Sequence, residues 1–355
     1  MENINKLNKA ETSRRIGKML QDGVNEIVIH GENKKDSEGK DILSLRPDLD
    51  SRAAIYLMEL AKIDYNHLTF VPKGDWVEGS LNIDTGEEDG PLITDNGTVF
   101  LDHHGPHRAE KGRATSATEI VYDILLREKF LKEEKYLNNL VDFVTDIDNA
   151  DYPLDREYFM KDWWRSLYGL QKAISFESLV NIIKSGKNPR EPFSTEEAKS
   201  ATVEMANKKR ANLSEVCDNQ RRMVDNSIKG VLDARKEMES SGIKNYEPKL
   251  FGSVLFNLVK APEDNAKKPK NKILLGFTAA RGLGFDSYFL WDEKTGGFFI
   301  TSKFHLQRVF DIVSKFCPNA KIIRGTMIVN QVDGLKSDSN RISADELLTE
   351  LGLKK

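Results

Sequence analysis

With 355 residues, the chain is long enough for two ordinary domains with buried cores. Its 53 basic and 56 acidic residues leave a formal net charge of -3, so there is no global electrostatic basis for coating a duplex, and we expect no long duplex nucleic acid as a partner. The two cysteines, Cys217 and Cys317, are too few for a disulfide framework. The first residues lack the apolar run of a signal peptide and no stretch is long enough to span a bilayer, so we expect a cytoplasmic protein without a membrane partner.

The first strand predicted along the chain ends in a histidine. An apolar run closes with His30, and the polar stretch over residues 32–46 that follows predicts an exposed insertion. Asp48 and Asp50 then lead into a predicted helix over residues 52–61, which has small residues in its first turn. Strand, loop and helix in this order predict the first half of a parallel βαβ unit.

Two later strands also end in side chains that can bind a metal ion. One short apolar run leads into Asp84, and a second, residues 98–101, runs directly into Asp102, His103 and His104. Taken alone, the second pattern fits a strand with a histidine-containing turn as well as it fits a metal site. The acids and histidines at the other strand ends favour the metal site.

Two helices complete the first part of the chain. Thr115 or Ser116 is placed to cap the first helix, with Glu119 completing a capping box with Ser116. The second helix is predicted over residues 134–146 and runs into an acidic segment that contains Asp146, Asp148 and Asp151. Alternating strands and helices with acids at the strand ends predict a doubly wound sheet whose ligand crevice lies at the carboxyl ends of the strands.

The predicted fold is therefore α/β, with a doubly wound, mostly parallel sheet and a second, smaller α+β domain. Residues 1–190 form the predicted metal-binding catalytic domain, residues 191–244 a helical linker, and residues 245–355 the smaller substrate-binding domain. An apolar stripe along the linker helix would pack on either domain or on a second subunit, so a homodimer is one of the predicted arrangements.

Side chains that can bind a metal ion thus recur through the first 150 residues. They are His30, Asp48, Asp50, Asp84, Asp102, His103, His104 and the pair Asp146 and Asp148. So many in one crevice would repel each other unless cations neutralised them. Imidazole and carboxylate ligands without a nearby thiolate fit Mn²⁺, Mg²⁺, Co²⁺ or Fe²⁺. Two such ions bridged by carboxylates would form a hydrolytic centre acting on phosphoryl groups.

The motif Asp102-His103-His104 after an apolar strand resembles the signature of the DHH phosphoesterase superfamily. Three surrounding motifs are also similar: His30 ahead of the Asp48-Leu49-Asp50 pair, Asp84 at the end of the preceding strand, and the Ser, Thr and Ala-rich helix start over residues 114–119. Asp148 or Asp146 would supply the last aspartate of the pattern. The resemblance covers roughly the first 155 residues.

The resemblance implies a role for each of these residues. Asp84 would bridge two cations, with Mn²⁺ as the expected metal. One cation would be held by His30, Asp48 and Asp148, and the other by Asp50 and His104. Asp102 belongs to both the implied ligand set and the implied catalytic set, and His103 would lie at the phosphate as a ligand or general acid.

The chain departs from the family pattern at two points. The polar insertion separates His30 from Asp48, where the family places its histidine only a few residues before the acids, and Ser44 occupies that usual position. Three acids compete for the last motif, namely Asp146, Asp148 and Asp151, and of these Asp148 is favoured.

Candidate substrate-binding residues carry weaker signals. In the second domain they are Arg281, Gly282, Gly284 and His305, and just past the signature they are His107, Arg108 and Arg113. Glycines beside an arginine let backbone amides and a guanidinium approach a phosphate, although an ordinary turn with a surface arginine fits the same residues. The segment after the signature would steer a phosphate or face solvent, and the histidine of the second domain would bind substrate or cap a helix.

These features predict a Mn²⁺-dependent phosphoesterase that acts on a small nucleotide: a short oligonucleotide, a cyclic dinucleotide or a nucleoside bisphosphate. One alternative within enzymes is an inorganic pyrophosphatase or polyphosphatase. An alternative of another class is a catalytically silent DHH-like scaffold that binds a nucleotide or a protein partner.

Overall fold

The structure is a computed structural model of the chain. It describes residues 9–35, 41–44, 47–72, 74–86, 88–105, 115–149, 163–171, 173–202, short pieces between 207 and 236, and residues 254–259, 280, 285–292, 298–302, 306–317, 320–323, 327–330 and 343–352. The chain divides into two compact units. The first comprises Met1–Asn149 and Val180–Asn188, and the second Ala150–Leu179 and Pro189–Lys355. The predicted domain boundaries at residues 190 and 244 stay predictions.

The first unit is built on a five-stranded sheet. Its elements in chain order are α1 (Lys9–Asp22), β1 (Val24–His30), β2 (Glu32–Lys35), β3 (Asp41–Ser44), α2 (Leu49–Leu60), β4 (Tyr65–Val71), β5 (Leu81–Ile83), β6 (Leu92–Ile93), β7 (Val99–Leu101), α3 (Ala117–Arg127) and α4 (Lys135–Asn149). The strand order is β4-β1-β5-β7-β6. All pairings are parallel except that of β6 with β7, so the predicted mostly parallel sheet is confirmed.

The core of this unit explains why its central strands are continuous apolar runs. Ile27, Val28 and Ile29 of β1 have no exposed surface, as expected for a parallel strand that is covered on both faces. The helices contribute apolar side chains to the same core, and the small side chains of Ala53 and Ala54 lie fully buried in α2.

The strand order places a topological switch point between β1 and β5. The next strand of this sheet after β1 is β4, which lies on the outer side of β1, away from β5. The next parallel strand after β5 is β7, which lies on the side of β5 away from β1. A crevice opens at such a point, at the carboxyl ends of the two strands. His30 is the last residue of β1 and Asp84 follows β5 directly, so the fold brings these two side chains to that crevice.

The insertion between His30 and Asp48 is not simply an exposed polar loop. It contains an antiparallel pair of strands, β2 and β3, in which Glu32 lies opposite Ser44 and Lys35 opposite Asp41. The pairing keeps the two ends of the insertion adjacent, so the chain returns to the sheet edge close to where it left.

The second unit contains a sheet of its own. Its elements are a 3₁₀ turn (Trp163–Arg165), α5 (Leu167–Leu170), α6 (Phe176–Lys184, whose last residues belong to the first unit), α7 (Thr195–Ala201), β8 (Val254–Val259), β9 (Ser287–Asp292), β10 (Phe298–Ser302), α8 (Gln307–Phe316), β11 (Lys321–Ile323), β12 (Met327–Asn330) and α9 (Ala344–Glu350). The order is β11-β12-β10-β9-β8, antiparallel except for β8 with β9. The smaller α+β arrangement is therefore confirmed.

One predicted strand of the second unit differs from the structure, and other predicted elements lie outside the described residues. The single strand expected over residues 321–329 is two strands, β11 and β12, that pair antiparallel with each other. The strand expected over residues 273–278 and most of the linker helix lie outside the described residues. Among the described helices, none combines the length and apolar character that a bilayer crossing requires.

Candidate metal centre

The first ligand group is built where β1 meets the start of α2. His30 Nε2 lies 3.1 Å from Asp48 Oδ2 and 3.1 Å from Asp84 Oδ2. Asp48 is the N-cap of α2, and its other carboxylate oxygen accepts a hydrogen bond from the backbone N–H of Ser51 at 3.0 Å. Capping thus fixes Asp48 with one oxygen while the second faces the imidazole.

Asp84 occupies the centre of the cluster. Its backbone has a φ of 55°, in the left-handed region that non-glycine residues seldom adopt, which turns the chain sharply after β5. Ser51 Oγ donates to Asp84 Oδ2 at 2.8 Å, on the side of His30. On the opposite side, Asp84 Oδ1 lies 3.4 Å from His103 Nε2 and 3.4 Å from His104 Nδ1. The two carboxylate oxygens therefore face two different groups.

The second ligand group surrounds His103. Its Nε2 lies 3.4 Å from Asp50 Oδ2 and 3.3 Å from Asp148 Oδ2, in addition to its contact with Asp84. Asp50 is held by the first turn of α3, because its carboxylate oxygens accept hydrogen bonds from the backbone N–H groups of Ala117 and Thr118, both at 2.8 Å. The positive end of a helix dipole at that place favours the carboxylate.

Asp148 reaches this group because it lies in the last turn of α4. The helix continues to Asn149, beyond its predicted end near residue 146. Within the described part of the chain, Asp146 is not a member of any group that could hold an ion, and Asp151 lies outside the described residues. The structure thus brings the favoured aspartate of the acidic segment to the cluster.

The carboxylate of Asp102 is held by the turn that follows β7 and by the backbone of Glu88. Asp102 Oδ1 accepts from the backbone N–H groups of His103 at 2.8 Å and His104 at 3.3 Å, and lies 2.8 Å from His104 Nδ1. Asp102 Oδ2 accepts from the backbone N–H of Glu88 at 2.9 Å. Asp102 therefore fixes both the turn and the imidazole of His104.

Close backbone packing supports this turn. Gly105 N–H donates to Glu88 O at 3.1 Å, and Gly90 N–H donates to Asp102 O at 2.8 Å. A Cβ atom at Gly105 would lie 2.3 Å from Asp89 Cγ, so only glycine fits there without displacement of the neighbouring loop.

The grouping differs from the one that the family resemblance implies. Asp148 lies with Asp50 and His103, whereas it was expected with His30 and Asp48. The two signature histidines are exchanged as well: His103, not His104, approaches Asp50. The reason is local, since Asp102 holds the ring of His104 and the preceding ring points towards Asp50 and Asp148.

The electrostatics of the cluster indicate missing positive charge. Burial raises the pKa of Asp50, and the negative charges of Asp84 and Asp148 raise it further, well above its ordinary value. Burial and the charge of Asp84 likewise raise the pKa of Asp102. Burial would also raise the pKa of Asp84, but its interactions with the imidazoles of His103 and His30 lower it well below the ordinary value.

The donor set fits divalent cations. Three groups offer ligand atoms that lie within 4.8 Å of one another: His30, Asp48 and Asp84; Asp50, His103 and Asp148; and Asp84, Asp102, His103 and His104. The buried Oδ1 of Asp84 has no hydrogen-bond donor among the described residues. A buried carboxylate oxygen without a donor is suited to bind a cation. Imidazole nitrogens and carboxylate oxygens together suit Mn²⁺, Mg²⁺ or Co²⁺.

Several positioning residues were absent from the sequence-based list. Ser51, Thr118, Ser116 and Thr145 all lie at most 4% exposed beside the ligands. Two patterns in the sequence pointed to Ser116, namely the capping box and the Ser, Thr and Ala-rich helix start over residues 114–119, and the second also contains Thr118. The structure confirms Ser116 as the N-cap of α3. The predicted substrate-binding residues lie outside the described part of the chain: His107, Arg108, Arg113, Arg281, Gly282, Gly284 and His305.

Comparison with known proteins gives structural neighbours only. No family model and no curated protein matches the chain. The chain is similar in structure to RecJ. A crystal structure of RecJ with Mg²⁺ from Thermus thermophilus is 12% identical, with 93% of this chain and 50% of that chain covered and a TM-score of 0.38. The Mn²⁺ complex from the same organism is 11% identical, with 93% and 53% covered and a TM-score of 0.37.

A crystal structure of exonuclease RecJ bound to manganese is 12% identical, with 94% of this chain and 92% of that chain covered and a TM-score of 0.38. The chain spans about half the length of the two Thermus thermophilus chains. The side-chain geometry of the cluster, and not this likeness, carries the functional conclusion.

Proposed function

We propose that the chain is a phosphoesterase that depends on two divalent cations and hydrolyses phosphoester or phosphoanhydride bonds of a small nucleotide. One observation carries the proposal: two ligand groups adjoin in a buried crevice, and the two oxygens of Asp84 face one group each. A single structural cation would need only one group. Two adjoining groups with a shared carboxylate are the arrangement of hydrolytic two-cation centres.

The proposed ligands follow from the distances. His30, Asp48 and Asp84 would hold the first cation, and Asp50, His103 and Asp148 would hold the second together with Asp84. We propose Mn²⁺ as the metal, with Mg²⁺ or Co²⁺ as substitutes, because the sites mix imidazole and carboxylate. When bound, the cations would make a nucleophile available from water at neutral pH and neutralise charge on the phosphoryl group.

His104 is the residue that would move a proton. Its Nδ1 lies 2.8 Å from Asp102 Oδ1, and this contact favours the tautomer with hydrogen on Nδ1. The proton exchanged with substrate would then be carried by Nε2 and given to the leaving oxygen. Asp102 acts in this proposal as a positioning residue, since its carboxylate holds the turn after β7, the ring of His104 and the backbone of Glu88.

Burial supports catalysis in the same crevice. Asp50, Asp84, Asp102 and His103 are each at most 2% exposed, so water is largely excluded around them. Fixed charges and dipoles act more strongly in such surroundings than in bulk water, and they need no reorganisation during the reaction. The net charge of only -3 is compatible with a small anionic substrate that is bound locally.

The test is hydrolysis by the full-length chain, loaded with Mn²⁺, of a panel containing a dinucleotide, a cyclic dinucleotide, a nucleoside bisphosphate and pyrophosphate. We expect release of nucleotide or phosphate from one of the three nucleotides, and loss of that activity in Asp84→Asn. The control is Asp64→Asn, which changes an exposed acid outside both ligand groups and should retain full activity. Pyrophosphate as the single substrate would replace the nucleotide proposal by a pyrophosphatase, and no release from any compound would overturn the enzyme proposal.

A further inference from the structure

We infer that contacts between α3 and α4 set the affinity of the second cation selectively, with Thr145 as the main positioning residue. Thr115, Ser116, Thr145 and Asn149 form these contacts, here called the α3–α4 clasp. This inference rests on the proposed metal centre, because it concerns how the second ligand group is assembled. It assigns a role to residues that touch neither cation.

The clasp joins the start of α3 to the last turn of α4 through two sets of hydrogen bonds. Ser116 Oγ and Thr145 Oγ1 lie 2.8 Å apart in a hydroxyl to hydroxyl hydrogen bond. Asn149 Nδ2 donates to Thr115 O at 3.0 Å and to Thr145 O at 2.9 Å. Ser116 and Thr145 are buried, so the hydrogen bond between their hydroxyl groups does not exchange freely with water.

The start of α3 also supports the opposite side of the second ligand group. Backbone N–H groups of Ala117 and Thr118 hold the carboxylate of Asp50, and Thr118 Oγ1 donates to the backbone carbonyl of Asp50 at 2.8 Å. One helix terminus therefore positions Asp50 directly and Asp148 through the clasp. These are the carboxylates that lie 3.4 Å and 3.3 Å from His103 Nε2.

The first ligand group has a separate support. His30 comes from β1, and Asp48 is fixed by capping α2 through the backbone N–H of Ser51. Among the described residues, neither His30 nor Asp48 forms a hydrogen bond with a residue of the clasp. A change in the clasp should therefore alter the spacing of Asp50 and Asp148 and leave the first group in place.

The predicted effect is a selective loss of affinity. Removal of residues that orient metal ligands typically weakens metal binding roughly 10- to 100-fold. Thr145→Val keeps the shape of the side chain and removes its hydroxyl, and Ser116 Oγ keeps its other partner, the backbone N–H of Glu119 at 3.1 Å. We expect the second Mn²⁺ to bind roughly 10-fold more weakly in Thr145→Val, with the first unchanged.

The experiment is a calorimetric titration of the metal-free full-length chain with Mn²⁺, together with a thermal melt of the metal-free protein. Thr145→Ser keeps the hydroxyl and should restore the second binding event. Asn149→Ala removes the other half of the clasp at a half-buried position, and should give the same selective loss if Thr145→Val does not fold. The matched control is Ser302→Ala, which breaks a buried hydroxyl pair of 2.7 Å with Ser287 in the second unit and should change neither binding event.

The outcomes separate the clasp from the proposed function. Two binding events in the parent chain, with only the second weakened by the clasp variants, support the inference. Equal weakening of both events, or no change in either, overturns it while the metal centre stands. A parent chain that binds fewer than two ions overturns the proposed centre, and the clasp with it.

Discussion

Binding of the first cation should expel a proton from His30. Burial alone would lower the pKa of this imidazole, but its hydrogen bonds to Asp48 and Asp84 outweigh burial and raise the pKa to about 10. In the metal-free protein at pH 7, about one ring in a thousand is then neutral and able to bind a cation. Removal of the proton costs about 4 kcal/mol at that pH, at roughly 1.4 kcal/mol per pKa unit.

This cost gives the affinity a defined dependence on pH. Apparent affinity for the first cation should rise about ten-fold for each pH unit across the neutral range, because one proton leaves as one ion binds. The stability of the metal-free fold changes in the opposite direction with pH. The protonated ring stabilises this fold fully below its ordinary pKa of 6.5, and the contribution is lost as the pH rises towards the raised pKa of about 10. Metal binding should therefore stabilise the fold more at higher pH.

The assay is calorimetric titration of the metal-free chain with Mn²⁺ at pH 7, in two buffers with different enthalpies of protonation. The difference in heat should correspond to at least one proton released with the first equivalent. His30→Gln should reduce that number by one. A first-equivalent affinity that is the same at pH 6 and pH 8, or equal heats in the two buffers, would refute the assignment of a protonated imidazole to this group.

Three further predictions concern the other parts of the centre. Asp84→Asn should abolish binding of both cations, whereas Asp148→Asn should remove only the second, as measured by metal content per chain, because Asp84 alone among the described residues faces both groups. Asp102→Ala should lower kcat roughly 100-fold or more while at least one Mn²⁺ is retained, since it removes the oxygen that accepts from the ring of His104. Gly90→Ala should lower the free energy of unfolding by about 1–3 kcal/mol in denaturant titrations, because the new Cβ would lie 2.6 Å from a backbone carbonyl oxygen of β7.

The sequence predicted well which side chains lie at the ends of neighbouring strands, because a simple physical rule places them. Apolar runs that end in His30, Asp84 and Asp102 are buried parallel strands, and the carboxyl ends of such strands meet at one edge of the sheet. The polar insertion does not separate His30 from Asp48 in space, because the strand pair β2 and β3 returns the chain to the same edge of the sheet. Strand ends can therefore be read from the sequence even when the connection between them is long.

The partners of each ligand could not be predicted in the same way. Which of two consecutive histidines faces Asp50 depends on the turn after β7, and that turn is set by four hydrogen bonds to Asp102, one of them from the distant Glu88. Asp148 joins Asp50 and His103 because α4 continues to Asn149. There the side-chain amide of Asn149 donates to the backbone of Thr115, ahead of α3. Such contacts join segments that are far apart in the chain and leave little trace in local patterns.

The most direct test of the two-cation centre is anomalous diffraction from crystals of the full-length chain soaked in Mn²⁺. We predict two peaks, one among His30, Asp48 and Asp84, and the other among Asp50, His103 and Asp148, with the carboxylate of Asp84 between them. A single peak, or peaks at other places in the molecule, would contradict a hydrolytic pair of cations at the switch point of this sheet.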